Sequence, residues 1–248
     1  MVARVLAGAA SLPSAPLLVP GVGRGLGSAQ QQLRASVQRV ARGLPGADVL
    51  VVVAAGQAAL HDTVTADLSG LGYPGHTRTI DACPPAIAAL SNLTQYPRVR
   101  RSRLPLDLAT LTLLVDRNEP VIALEVSASA EYPVLAALGI SVVQALQDSD
   151  LTGNIVAAGD LSAGLDARAP LAELPGAAEW NAAVVDLFTA GEGERLADLG
   201  PSEAAAVGAR GGAPLCVLHG AVVSAGLDLA VRRYAAPRGV GYLVMSAR

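Results

Sequence analysis

The sequence predicts a single α/β domain with a mixed, mainly parallel central sheet flanked by helices. Three observations carry this expectation. Unbroken apolar runs at Asp48–Ala54, Pro120–Val126 and Asn154–Ala158 have the length and the Val/Ile/Leu content of strands buried on both faces. Stretches of helical periodicity separate them, notably Ser28 to about Arg42 and Glu131 to about Gln147. The chain then ends in two adjacent strand patterns, Leu227–Tyr234 and Gly239–Ser246, joined across Ala235–Gly239. Strands that alternate with helices and finish in a hairpin belong to one layered α/β unit. No internal repeat, low-complexity tract or linker divides residues 1–248.

Composition bounds the function. Hydrophobic residues make up 52% of the 248, enough for a sizeable core, and aromatics only 3%, so that core is built from Ala, Val and Leu. All 18 basic residues are Arg, and the net charge of −3 excludes a chain built to bind nucleic acid or an anionic membrane. No apolar run reaches the roughly 20 residues needed to span a bilayer. Met1–Pro13 imitates a short signal peptide, but its single basic Arg4 and Gly-broken apolar run read better as a first strand, Val2–Ala10. A cytoplasmic protein is expected. Cys83 and Cys216 lie far apart, without metal-type spacing, and read as two buried reduced thiols, with a single disulfide as the alternative.

In order, Ser11–Pro20 is a proline-dense, stiff loop. Ser28 is placed to cap the first helix, whose Leu33, Val37 and Val40 share a face, and Gly43–Gly46 ends it. Ala55–Pro74 reads as a long loop with some helix, Thr77–Asp81 as a short strand, Pro84–Ser91 as one or two helical turns and Asp107–Asp116 as a helix. Pro133 sits where a first helical turn tolerates it, and Gly139 inside the same helix costs about 1 kcal/mol. Ala177–Thr189, Pro201–Ala209 and Pro214–Ala225 are helical; Leu227–Tyr234 alternates as an edge strand does.

Few residues carry chemistry. The histidines are His61 in the loop after the second strand, His76 in the turn Tyr73-Pro-Gly-His, and His219 in a helix; no His-x-His or His-x₃-His pair offers a metal. Asp160 stands where a strand delivers its carboxyl end to a crevice. It serves there either as a general base or orienting carboxylate, or as a turn residue holding backbone N–H groups. Ser14, His61 and Asp160 lack a nucleophile elbow. Gly21-Val-Gly-Arg-Gly-Leu-Gly27 imitates a phosphate loop without its Lys or its strand–helix context. The dense basic run Arg98–Arg103 is a solvated loop or an anion contact.

Four patches share one resemblance. Leu12-Pro-Ser-Ala-Pro-Leu-Leu18, the end of the second strand near Val53–Gln57, Ala158-Gly-Asp-Leu-Ser-Ala-Gly-Leu165 with Ala169-Pro170, and Tyr234-Ala-Ala-Pro-Arg-Gly-Val-Gly-Tyr-Leu-Val244 resemble segments of the class III extradiol ring-cleavage dioxygenases, the superfamily that also holds the Memo proteins. The first resembles the family's "PHPPLL", the third its "SGDLSH" and the last its "YEAPYGVGYFV". The resemblance implies a class III extradiol dioxygenase-like fold. It also implies a non-haem Fe(II) held by two histidines and a carboxylate, with a further histidine moving protons. Carried over, the first ligand falls at Ser14, the second near Ala55 or Gly56, the carboxylate at Ala235 and the proton-transfer histidine at Ala163. None of these side chains is a histidine or a carboxylate.

The expected function is therefore that of a non-catalytic superfamily member, with no metal and no Fe(II) cofactor. It would keep a crevice for a small organic ligand or a partner, contacted by Ser14, His61, Asp160, Ser162 and Arg238. Two alternatives stand beside it: an active iron oxidoreductase with a relocated site that uses His61, and a structural subunit of a homo-oligomer or a paired assembly.

Overall fold

The protein is described by a computed structural model over residues 5–23 and 25–247. Eight strands form one sheet: β1 (Leu6–Leu12), β2 (Val49–Ala55), β3 (Ala59–His61), β6 (Arg98–Val99), β7 (Val121–Val126), β8 (Gly153–Ala158), β9 (Leu229–Ala235) and β10 (Tyr242–Ala247). Their order is β6-β3-β7-β2-β8-β1-β10-β9. The four central strands, β7-β2-β8-β1, are mutually parallel, while β3 and β10 run antiparallel to their central neighbours. A separate hairpin pairs β4 (Val64–Asp67) with β5 (Thr77–Ile80).

Side-chain alternation explains why the central strands read as continuous apolar runs. Val49, Val51 and Val53 of β2 face one core with Ile155 and Ala157 of β8, and Leu50, Val52 and Ala54 face a second core with Val156 and Ala158. The first core is closed by α2 (Pro84–Thr94), α4 (Tyr132–Asp148), α5 (Ala177–Ala190), α6 (Pro201–Ala206) and α7 (Gly212–Ser224). The second is closed by α1 (Ser28–Gly43) and α3 (Leu106–Val115). Both faces of the parallel sheet are covered, so no polar alternation is needed.

Glycine sets the closest helix packing. A Cβ on Gly139 of α4 would lie 2.1 Å from the Val217 carbonyl oxygen, and one on Gly220 of α7 would lie 2.2 Å from that of Ala136. Backbone meets backbone here, so Gly139 trades helix propensity for close approach.

Several expectations are corrected. The first strand runs Leu6–Leu12, and residues 2–4 of the expected Val2–Ala10 lie outside the described residues. Ser28 is the first helical residue; Gly27 is the cap, and Gln30 Oε1 accepts its N–H at 3.1 Å. The expected loop Ala55–Pro74 contains β3, β4 and a 3-10 turn at Ser69–Leu71, and the basic run begins in β6. These strands are two to four residues long, too short for a periodic signal. The helix Pro84–Ser91 extends to Thr94, and β9 does lie at the sheet edge.

Candidate functional site

The parallel strands β1, β2, β7 and β8 deliver their carboxyl ends to one edge of the sheet, where open α/β sheets hold ligands. Because β10 runs antiparallel to β1 and β9 antiparallel to β10, Tyr242 and Ala235 reach the same edge, paired with one another.

Beyond β1, the proline-dense loop makes a 3-10 turn at Pro16–Leu18 and buries Leu18, Val19 and Val22. Arg34 of α1 reaches under it and donates to the carbonyls of Leu17 and Val22. The loop is thereby fixed, and Ser14 with it, only 5% exposed.

Beyond β8, residues 159–165 are stitched to the terminal hairpin. Leu243 N–H donates to Gly159 O (2.9 Å), Leu161 N–H to Gly241 O (2.8 Å), Gly241 N–H to Ser162 O (2.8 Å) and Leu165 N–H to Gly239 O (3.0 Å). A Cβ on Gly159 would strike the Leu243 carbonyl oxygen at 2.2 Å, so this approach requires glycine. The stitching brings Asp160 against Ser14: Asp160 Oδ2 accepts both the Ser14 N–H (2.7 Å) and its hydroxyl (2.6 Å).

Ser14, Asp160 and Ala163 line one cleft of about 280 Å³. Its apolar walls include Leu17, Pro170 and Val240; its polar ones add Asp107, Arg210 and Tyr242. Arg210 Nη2 donates to Asp107 Oδ2 at 2.7 Å and to the Ala55 carbonyl at 3.3 Å, which joins the end of β2 to the cleft. Desolvation pushes the Asp160 carboxyl up to about 6 against the two Ser14 hydrogen bonds; Asp107 adds to the rise and Arg210 opposes it. Burial, with Asp160 nearby, also raises the Tyr242 phenol.

The remaining expected residues are distributed around this cleft. Gly56 follows Ala55, and its missing Cβ is replaced by a neighbour: a Cβ there would lie 1.9 Å from Glu125 Oε1. Ala235 stands behind the cleft, paired with Tyr242. Ser162 is fully buried and turned into the protein; its N–H donates to Asn181 Oδ1 (2.9 Å) and its hydroxyl to the Val207 carbonyl (2.5 Å). Arg238 lies exposed on the turn Pro237–Gly239 and does not line the cleft. His61 is fully buried in β3 with Nε2 3.1 Å from Glu125 Oε2, outside the cleft lining. Burial pulls its imidazole below the ordinary value, while the Glu125 hydrogen bond and charge work the other way.

Elsewhere, His76 Nε2 meets the Pro20 carbonyl (2.8 Å), and His219 packs between Tyr132 and Phe188. Arg98, Arg101 and Arg103 of the basic run are engaged by Asp62, Gln57 and Asp67. Arg24 of the glycine-rich stretch lies outside the described residues. No helix among the described residues is long and apolar enough to cross a membrane.

Neither a scan of protein-family models nor a search of curated proteins finds a match. Among solved structures the chain is similar to the crystal structure of uncharacterized protein JW3007 from Escherichia coli K12. The TM-score is 0.66 at 18% identity, over 96% of this chain and 98% of that one. At that identity the likeness shows the fold alone. It extends over nearly the whole of both chains, so the α/β architecture is shared from end to end.

The residues at the cleft do not fit the Fe(II) facial set that the resemblance implies. Ser14 and Asp160 are bonded to one another, Asp107 is held by Arg210, and His61 turns to Glu125. Among the described residues no three His, Cys, Asp or Glu gather as a metal would require. The arrangement offers polar groups to a molecule in the cleft. Asp160 Oδ1 has no protein partner among the described residues, and it sits beside an apolar wall with a phenol and a guanidinium nearby.

Three residues of this region escaped the sequence reading. Asp107 and Arg210 are 103 positions apart and show nothing locally. Glu125 did carry a signal: it is the one charged residue in the buried strand Val121–Val126.

Proposed function

We propose that the protein is a non-catalytic, cytoplasmic binding protein built on a class III extradiol dioxygenase-like scaffold, and that its cleft takes a small, uncharged organic molecule. The observation that supports this most is the Ser14–Asp160 pair. It puts a closed hydrogen bond at the position that the resemblance assigns to the family's first ligand, and it leaves a mostly apolar cleft in which Asp160 Oδ1 has no protein partner among the described residues. A mostly apolar cleft with a few convergent polar groups is the usual form of a small-ligand site. Asp107 and Asp160 bring two carboxylates against one guanidinium, which disfavours an anionic ligand. A phenol or catechol fits: its ring lies on Leu17, Pro170 and Val240, and its O–H donates to Asp160.

Calorimetric titration with catechol, phenol and benzoate tests this. The neutral phenols should bind and benzoate should bind at least tenfold more weakly. Ala163→Phe should abolish binding while the protein stays folded. Absence of phenol binding, or equal binding after Ala163→Phe, rejects the proposal. Elemental analysis after anaerobic Fe(II) loading should find no stoichiometric metal; one tightly held iron per chain would favour an oxidoreductase instead.

A further inference from the structure

A cavity of about 490 Å³ opens at the opposite edge of the sheet, between the last turns of α1 and the β1–β10 border. Two strand irregularities fall at this groove. Between Leu6 and Gly8 the β1 register shifts against β8, so that Ala7 is an extra residue. Between Val231 and Arg233 the β9 register shifts against β10, so that Arg232 is the extra one. Both extra residues line the groove. Bulges re-aim side chains and concentrate beside functional sites.

The bulged Arg232 donates from Nε to Ser246 Oγ at 2.8 Å. Arg39 of α1 also lines the groove, with Ser36, and among the described residues none of the lining ones is acidic. Beneath Gly8 lies Asn154, 1% exposed, whose Nδ2 donates to the Pro45 carbonyl while its Oδ1 has no partner among the described residues. A Cβ on Gly8 would fall 2.6 Å from that Oδ1. The Ser36 hydroxyl donates to the Gln32 carbonyl at 3.1 Å, which leaves two guanidiniums and the Ser246 hydroxyl, without a competing carboxylate among the described residues; this set matches a phosphate group. The volume exceeds that of a lone phosphate, and the last helical turn of α1 ends here with carbonyls that lack intrahelical donors. Those carbonyls repel an anion but accept hydroxyl groups. A ligand that satisfies both ends is a phosphate monoester on a hydroxylated body.

We infer that this groove is a second ligand site, separate from the Ser14–Asp160 cleft, and that it binds a sugar phosphate through Arg39 and Arg232. Calorimetry with ribose 5-phosphate, inorganic phosphate and ribose tests it. Ribose 5-phosphate should bind one per chain, and inorganic phosphate and ribose each at least tenfold more weakly. Arg39→Ala and Arg232→Ala should each cost tenfold or more; Ala163→Phe in the other cleft should change nothing. Both arginines are exposed, so far-UV circular dichroism should show folded variants, and Arg39→Gln with Arg232→Gln repeats the measurement if either alanine variant misfolds. No saturable binding of ribose 5-phosphate, or binding indifferent to both arginines, overturns the inference. Inorganic phosphate that binds as tightly as ribose 5-phosphate overturns the sugar-phosphate assignment.

Discussion

Asp160 couples the cleft to pH. Its folded value of about 6 lies above the ordinary carboxylate range, chiefly because burial disfavours the charge. A carboxyl whose value rises on folding contributes stability that is complete below pH ~4 and is lost as pH climbs through 6. Asp67 behaves oppositely. The Ser69 N–H, the Thr77 hydroxyl and the Ser69 hydroxyl hold it at about 2, so its contribution is present above pH ~4 and is lost as pH falls toward 2. Urea denaturation of the wild type and Asp160→Asn between pH 4 and 7 should show the wild type's relative stability decline as pH rises; a difference independent of pH would refute this role. Gly56 is constrained by a neighbour. A methyl there would collide with Glu125, which cannot retreat without breaking its hydrogen bond to buried His61. Gly56→Ala should therefore destabilise the protein by about 1–3 kcal/mol, measured by the same denaturation. Ser14, Asp160 and Ala163 were legible because each lies in a distinctive local segment. Arg210 and Asp107 were not, because only the fold brings residues 103 positions apart into one ion pair.

At the scale of elements, the α4–α7 crossing reverses a general rule. Alanine is ordinarily better than glycine inside a helix by about 1 kcal/mol. At Gly139 and Gly220 the added carbon would sit against backbone carbonyl oxygens of the facing helix, which no rotamer change can move. Gly139→Ala and Gly220→Ala should each lower the melting temperature, where an exposed helical glycine would raise it; an unchanged or higher value would show that the helices can separate without cost. Long elements were legible for a physical reason: β2, β7 and β8 are buried on both faces, and α1 carries its apolar stripe Leu33–Val37–Val40. The short strands β3 and β6 were not, because the partners that order them are distant. Leu60 faces Leu124, and His61 faces both Ala123 and Val99, so tertiary pairing overrides weak local preference.

For the whole molecule, stability should grade outward from the centre of the sheet. Strands β2 and β8 are hydrogen-bonded on both sides, and both of their faces are covered. Opening them exposes two cores at once, which demands global unfolding. The β4–β5 hairpin is different. It is a sheet of two strands only, and β5 alternates exposed and half-buried residues, so it packs through Val64 and Ala66 of β4 with only Ile80 from β5. Two-stranded units are marginal by themselves and open locally. Strand β6, two residues long at the sheet edge, shares that weakness. Native-state hydrogen exchange should find the amides of Val51–Val53 and Ile155–Ala157 the slowest, with an opening free energy equal to that of global unfolding. Those of Thr77–Ile80 should exchange orders of magnitude faster and with little dependence on urea. Both proposed ligand sites draw on the rigid part of this gradient, at opposite ends of β1, so a ligand in either should slow exchange in β1 and β8 and leave β5 unaffected. Protection at Thr77–Ile80 equal to that of the central strands would mean that the hairpin folds as part of the core, against the independence its pairing implies.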